Sequence, residues 1–285
     1  MLKTGINLNP FGFDCDTADL AKAVRSVGFD TFFTGFADDD AKTEALAEIG
    51  ARTGLVYESI HAPFGGLNCI WDEGEAGDEF VRRIRRVADT CKKFGIGYFT
   101  LHCMNVPKLN VDINDFQRWS ELGLSRFRSI LEYASDCSVK ACFENVEFPQ
   151  FELKRLLETF RTEGYDSLGF TWDVGHEHCY PGGIDVADAF GDLLVGTHVH
   201  DNFGQADPHV ITWLDDDHLL PFDGTVDFRR VGQKLKKCNY QGTVTLEARR
   251  NEMIPWYRSM TLEQFLQTAH ERAERIAMWC EEPFK

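Results

Sequence analysis

The sequence predicts an α/β fold of the (β/α)8 barrel kind, and three observations point to it. Short apolar runs alternate with amphipathic stretches from end to end, which implies parallel strands joined by helical crossovers. Eight such runs are present, the number that closes a barrel. The chain of 285 residues is close to the length of about 250 residues typical of one such domain. No shift in composition marks a linker, so residues 1–285 are expected to form a single barrel domain. A doubly wound open sheet is the next arrangement that the same alternation allows.

Strands are expected near Thr4–Asn7, Thr31–Thr34, Val56–Ile60, Tyr98–Leu101, Ala141–Phe143, Gly169–Trp172, Gly196–His198 and Thr243–Leu246. Helical spacing of apolar residues marks Leu20–Val27, Ala41–Thr53, Glu79–Phe94, Phe116–Ala134, Phe151–Thr162 and Phe228–Lys237. Gly95 ends the third of these as a natural C-cap, and Thr261 to Gln264 opens a last helix with a capping-box pattern. Between the seventh strand and its helix runs one long loop, Phe203 to Asp223. It exceeds a minimal βα connection, and long ordered loops tend to carry function.

Composition removes several classes of function. No apolar run approaches the roughly 20 residues that cross a bilayer, and MLKTGINLN reads as a first strand and not a signal peptide. A cytoplasmic protein is therefore expected, with no membrane partner. The formal net charge of −16 argues against a general nucleic-acid binder, whose phosphate affinity comes from clustered Lys and Arg. Nine scattered cysteines without a C-x-x-C pair fit reduced, buried thiols better than a disulfide framework. Cys103 and Cys179 stand beside histidines and are the two thiols placed for a metal or redox role.

The chemistry lies in where the polar clusters fall. Eight of the nine histidines lie between His61 and His218, and most follow an apolar run directly. In a barrel the active site is built at the C-terminal ends of the strands, so these clusters would converge on one mouth. His61 follows the third strand, His102 the fourth, Glu144 the fifth, Asp173 and His176 the sixth, His198 and His200 the seventh, and Glu247 the eighth. Imidazoles and carboxylates converging in this way hold divalent metal ions. A metal-dependent enzyme is expected, with one divalent ion (Mn, Co, Zn, Fe or Mg) or more than one.

Glu144 and Glu247 are the strongest pair, because an ionised carboxylate following an apolar strand is costly unless paired or metal-bound. Their plain alternative is a pair of rim salt bridges involving Arg249. Two carboxylates flanking a bound sugar would serve as opposing acid and base. Asp173 and His176 form a D-x-x-H on the turn after the sixth strand. His198 and His200 are expected on opposite sides of their strand, one entering the site and the other behind it. His61 and His102 are weaker individually, and Asp216 with His218 offers two ligands from one turn. His178 and His209 read as loop residues. Phe64, Trp172, Phe203, Trp213 and Trp256 are candidates for stacking on a sugar, of which one or two are expected to do so. Dinucleotide, nucleotide and serine-hydrolase motifs are absent.

The segments HVHDN, DDDHLLPFDGTVDF and NYQGTVTLE, in that order, resemble the xylose isomerase-like TIM barrel superfamily. The likeness is to its sugar phosphate isomerase/epimerase branch, related to AP endonuclease type 2, and runs from the first strand to Glu247. It implies one ion held by Glu144, Asp173, His198 and Glu247, with the two glutamates moving the proton next to a ketose carbonyl and His176 contacting substrate. An arginine that ketose 3-epimerases carry is Gly204 here, which leaves the substrate open. The resemblance also implies a rival: endonucleases of the superfamily hold three zinc ions with ligand types matching His61, His102, Glu144, Asp173, His176, His198, Asp216, His218 and Glu247. The surrounding FENVEF, TWDVGHEH and HVHDN read as the isomerase-like versions. The expected activity is a metal-dependent isomerase or epimerase on a small-molecule sugar or polyol, with nucleic acid not expected as a partner and a homo-oligomer allowed. A lyase or dehydratase on a keto-sugar or keto-inositol is the first alternative, a zinc phosphodiesterase the second, and a non-catalytic sugar-binding barrel the third. His61, His102, His176, Asp216 and His218 would then hold a second metal or bind substrate.

Overall fold

The computed structural model describes residues 1–9, 11–105, 111–112, 119–146, 150–180, 184–251 and 254–282. Its eight-stranded sheet runs β1 (Lys3–Asn7), β2 (Thr31–Gly35), β3 (Val56–His61), β4 (Tyr98–Leu101), β5 (Lys140–Glu144), β6 (Leu168–Asp173), β7 (Leu194–His198) and β8 (Thr243–Leu246). Neighbours in the chain pair in parallel from β1 to β7, and β8 pairs in parallel with β1. All eight expected strands are present, and the open-sheet alternative fails on this strand order.

The seam between β7 and β8 is the weakest part of the ring. It carries a single parallel bridge, Val199 to Leu246, with Val199 N donating to Thr245 O at 2.9 Å and Glu247 N to Val199 O at 3.1 Å. Below it the Thr197 hydroxyl stands in for the ladder, donating to Thr243 O and accepting from Thr245 N. The barrel is thus nearly closed, and its last stitch lies at the C-terminal rim.

The helices start and stop where local chemistry directs. α1 (Thr17–Val27), α2 (Asp40–Thr53) and α3 (Glu75–Phe94) each end on a left-handed glycine, Gly28, Gly54 and Gly95, a conformation that a Cβ would oppose. α3 buries Phe80, Val81, Ile84, Val87, Ala88 and Cys91, the stripe that its sequence spacing predicts. α4 (Glu121–Asp136) is capped by Ser120; the earlier start expected at Phe116 lies outside the described residues. The remaining helices are α5 (Gln150–Glu163), α6 (Val174–Cys179), α7 (Val186–Phe190), α8 (Phe228–Lys237), α9 (Pro255–Ser259) and α10 (Leu262–Trp279). α10 opens on the expected capping box.

Outward aromatic residues fix the inward ones. Phe143 packs on Phe127 of α4 and Phe160 of α5 at 5.4 and 5.6 Å between ring centres. Phe170 packs on Phe190 of α7 at 5.1 Å. Because side chains alternate along a strand, Glu144 beside Phe143 must face into the barrel, as must Thr171 and Asp173.

The segment between β7 and α8 is ordered by one carboxylate. Asp201 accepts hydrogen bonds from the backbone N–H groups of Asn202, Phe222, Gly224 and Val226 at 2.8–3.0 Å. Both ends of the loop are thereby drawn to the end of β7, and Leu219 pairs with Asp201. Between these ends, Val210–Ile211 pairs antiparallel with Val111–Asp112, and a 3-10 turn spans Trp213–Asp215.

Candidate metal centre and cleft

At the C-terminal rim the strands deliver three overlapping groups of metal-binding side chains. Glu144, Asp173, His198 and Glu247 form the first; His61, His102 and Glu144 the second; His176, His200, Asp216 and His218 the third. Within each group one donor atom per residue lies within 4.8 Å of the others. Every residue singled out from the sequence as a ligand is in one of these groups.

In the first group His198 Nδ1 lies 2.5 Å from Glu144 Oε1 and 3.0 Å from Glu247 Oε2. The His198 ring stacks on Phe33 at 4.5 Å, which fixes its plane. The other oxygen of Glu144 faces the second group, 2.8 Å from His102 Nε2 and 3.3 Å from His61 Nε2. Glu144 therefore belongs to both. Its side chain is 1% exposed, whereas that of Glu247 is 20% exposed and opens on the cleft.

Several imidazoles are aimed by the same device. His61 Nδ1 meets Ala62 O at 2.8 Å, His176 Nδ1 meets Asn145 O at 2.9 Å, and His218 Nδ1 meets Glu247 O at 2.8 Å. A ring nitrogen facing a carbonyl must carry the proton, so in the neutral, metal-binding form Nε2 of each ring keeps its lone pair toward the centre. His102 is held through Nδ1 by Asn105 Oδ1 at 3.3 Å and from above by the Phe64 ring at 5.2 Å.

The electrostatics follow from burial and mutual attraction. Burial opposes ionisation of Glu144, but the His198 charge and hydrogen bonds from His102, His198 and His61 outweigh it and hold the carboxyl well below the usual range. Burial likewise opposes charge on Glu247 and Asp216, and neighbouring histidines bring both below their ordinary values. Burial also works against charge on His198 and His176; the carboxylates around them prevail and push both well above an ordinary imidazole.

The donor set suits a divalent ion on a direct structural ground. Asp173 Oδ2, His198 Nε2, both ring nitrogens of His200 and Asp216 Oδ1 are buried without a hydrogen-bond partner. Buried polar atoms are otherwise almost always satisfied, and a cation among them would satisfy several at once.

Three sequence expectations need correction. His198 and His200 do not face opposite sides: residues two apart share a face of a strand, and both enter the centre. The rim salt bridges fail too, since the glutamates meet histidines and, among the described residues, no ion pair joins either to Arg249. Trp172 points outward, its indole N–H donating to Glu177 and its face covered by Lys234, so it leaves the list of stacking candidates. Phe64 and Trp213 do line the cleft, whereas Phe203 and Trp256 are not among its lining residues. The thiols of Cys103 and Cys179 are in none of the groups, and burial pushes both well above the ordinary thiol range. His178 reaches Thr225 and not the centre.

Sequence reading missed Asn145. Its amide accepts from Asp173 N at 2.8 Å and donates to Asp173 O at 2.7 Å, while its own carbonyl holds His176. One residue after Glu144 thus aligns the end of β6. The available signal was a polar residue directly behind an apolar strand, in FENVEF.

The cleft above the centre has a volume of about 350 Å³ and is bounded by Phe64, Asn105, Trp213 and Arg249 besides the ligand candidates. No helix among the described residues is long and apolar enough to cross a membrane.

Comparison with known proteins agrees with this architecture. A relative from Sinorhizobium fredii, the uncharacterized protein y4fM, is 27% identical over 267 residues, covering 83% of this chain and 79% of its own. The D-psicose 3-epimerase of Clostridium cellulolyticum H10, solved with D-tagatose, superposes with a TM-score of 0.72 at 13% identity, over 96% of this chain and 99% of that one. The 3-keto-D-glucoside 4-epimerase YcjR of E. coli, in apo form, superposes with a TM-score of 0.71 at 17% identity, over 98% and 100%. At such identities these likenesses speak for the fold. The model of the xylose isomerase-like TIM barrel family matches residues 21–275, and the chain belongs to that family.

Proposed function

We propose that residues 1–285 form one barrel domain that acts in the cytoplasm as a divalent-metal-dependent isomerase or epimerase on a ketose or related polyol. The observation that carries this reading is the pair of ionised glutamates, Glu144 and Glu247, approaching His198 from two strands at 2.5 and 3.0 Å beneath an open cleft. A cleft of about 350 Å³ is near the lower end of the ~300–1,000 Å³ range of small-molecule sites, which suits one monosaccharide. Solved neighbours of the same fold are named as sugar epimerases, and this supports the reading without specifying a substrate.

Glu144, Asp173, His198 and Glu247 would hold the ion, which when bound supplies positive charge to the carbonyl and hydroxyl oxygens and favours the enediolate. The protein's own part is proton transfer. One glutamate takes the proton from the carbon next to the carbonyl, and the electron pair passes to the carbonyl oxygen. The other returns a proton to the opposite face of that carbon, inverting it; return to the neighbouring carbon gives the isomer. Phe64 and Trp213 would bound the sugar, and Asn105 would hold His102 in place. Ketoses and 3-keto-glycosides incubated in D2O should incorporate deuterium next to the carbonyl, with Glu247→Gln abolishing the exchange. Turnover without solvent deuterium would end the proton-transfer mechanism, and a product lighter by one water would assign the lyase or dehydratase instead.

A second reading has its own support. All nine residues matching the endonuclease ligand set fall within the three groups, which favours a zinc phosphodiesterase. Against it stand the net charge of −16 and the small cleft. Cleavage of an abasic-site duplex by the zinc-loaded protein, with no activity on ketoses, would make it the correct one.

A further inference from the structure

The third group contains a donor that neither the resemblance nor the proposed reaction uses. His200 is fully buried, and neither ring nitrogen has a hydrogen-bond partner. Its Nε2 approaches Asp173 Oδ1 at 3.0 Å and Asp216 Oδ1 at 3.5 Å without the geometry of a hydrogen bond, as expected of donors directed at one common point. Room for this ring is made by Gly175, where a Cβ would fall on the imidazole. The partners are arranged to match. His176 and His218 have Nδ1 tied to carbonyls and bring Nε2 to 3.3 and 2.9 Å from Asp216 Oδ2. Asp216 Oδ1 is itself buried without a partner.

We propose that His200 adds a fourth ligand to His176, Asp216 and His218, turning the three-ligand site that the endonuclease resemblance implies into a closed one, distinct in purpose from the reaction centre beside it. Three imidazoles and one carboxylate suit zinc or another borderline cation. Four protein donors complete a tetrahedral shell, the pattern of sites that hold structure, whereas catalytic sites keep one position for water or substrate. The ligands come from three segments: His176 from α6, His200 from beyond β7, and Asp216 with His218 from the long loop. An ion there cross-links the loop to the barrel rim and fixes the wall that presents Trp213 to the cleft. Without His200 the three remaining donors would leave a position open and hold an ion less tightly, so this residue decides whether the site retains an anchoring ion.

The assignment goes beyond the epimerase reading and stands or falls separately from it. Its test is metal analysis and cobalt spectroscopy of the full-length protein. In the wild type, cobalt should give intense visible bands of tetrahedral geometry that added azide leaves unchanged. His200→Asn and Gly175→Ala should each lose about one tightly held zinc per chain together with those bands, and should expose residues 203–223, which carry Phe203, Trp213 and Phe222, to chymotrypsin. Glu247→Gln should retain the ion, the bands and the protection even where sugar turnover is lost. Wild-type cobalt protein lacking azide-resistant tetrahedral bands would overturn the proposal, as would His200→Asn with full zinc content. Should both variants misfold, the wild-type spectrum decides alone.

Discussion

The first and third ligand groups sit side by side on one rim and are built on opposite plans. Glu144, Asp173, His198 and Glu247 give three carboxylates and one imidazole, with Glu247 opening on the cleft. His176, His200, Asp216 and His218 give three imidazoles and one carboxylate, two of the four carried by the long loop itself. Carboxylate donors leave an ion hard and exchangeable, and they can carry protons themselves; a shell of imidazoles is softer and has no base to spare. On the proposed roles, the contrast is one of donor composition: neighbouring strand ends of one barrel rim would divide reaction from anchorage.

The largest test of that contrast is Glu247→Gln. Removing one of two acid–base groups should lower kcat by about 10²–10⁴-fold, while the ion of the third group and the circular dichroism stay as in the wild type. A kcat within a few-fold of wild type would remove the chemical distinction between the groups.

Asn145→Ala should blur the contrast from the other side. This residue aligns Asp173 of one group and His176 of the other, so both affinities should fall together, by about 10–100-fold as for other lost supports of metal ligands. Competition with a fluorescent chelator reads this directly. A loss confined to one ion would show that Asn145 serves only one group.

Acid should then separate the groups. In the metal-free chain His176 and His198 keep their protons to a pH well above the ordinary imidazole range, and His218 is raised as well. Metal uptake must displace those protons, so apparent affinity rises with pH through that window and falls as the solution is acidified. With His176 and His218 raised in the third group against His198 alone in the first, the third group should show the steeper dependence and release its ion at the higher pH. Titrations at stepped pH measure both slopes; parallel slopes would contradict the donor assignment.

Trp213→Ala should have the smallest effect. The side chain borders the cleft and belongs to no ligand group, so KM should rise a few-fold with metal content unchanged. Steady-state kinetics on any accepted sugar check it.

Much of this was readable in the sequence because barrels place chemistry where strands end. Glu144 and Glu247 stood out because each follows an apolar run, and Asp173 and His176 because they share one short turn. What escaped depends on three-dimensional neighbours. Asn145 matters only because its amide and carbonyl reach the end of an adjacent strand. His200 was misjudged through its strand parity, and the space it occupies is created by Gly175, 25 positions earlier. The incomplete β7–β8 seam, where Thr197 replaces ladder bonds, likewise has no signature in local periodicity.

The two oxygens of Glu144 face different groups, Oε1 toward His198 and Oε2 toward His61 and His102. A side chain divided in this way makes the two positions thermodynamic neighbours: filling one alters the negative charge offered to the other. Loading should therefore be stepwise, with unequal successive constants, and the protein would register how much metal its surroundings supply as graded activity instead of an on–off response.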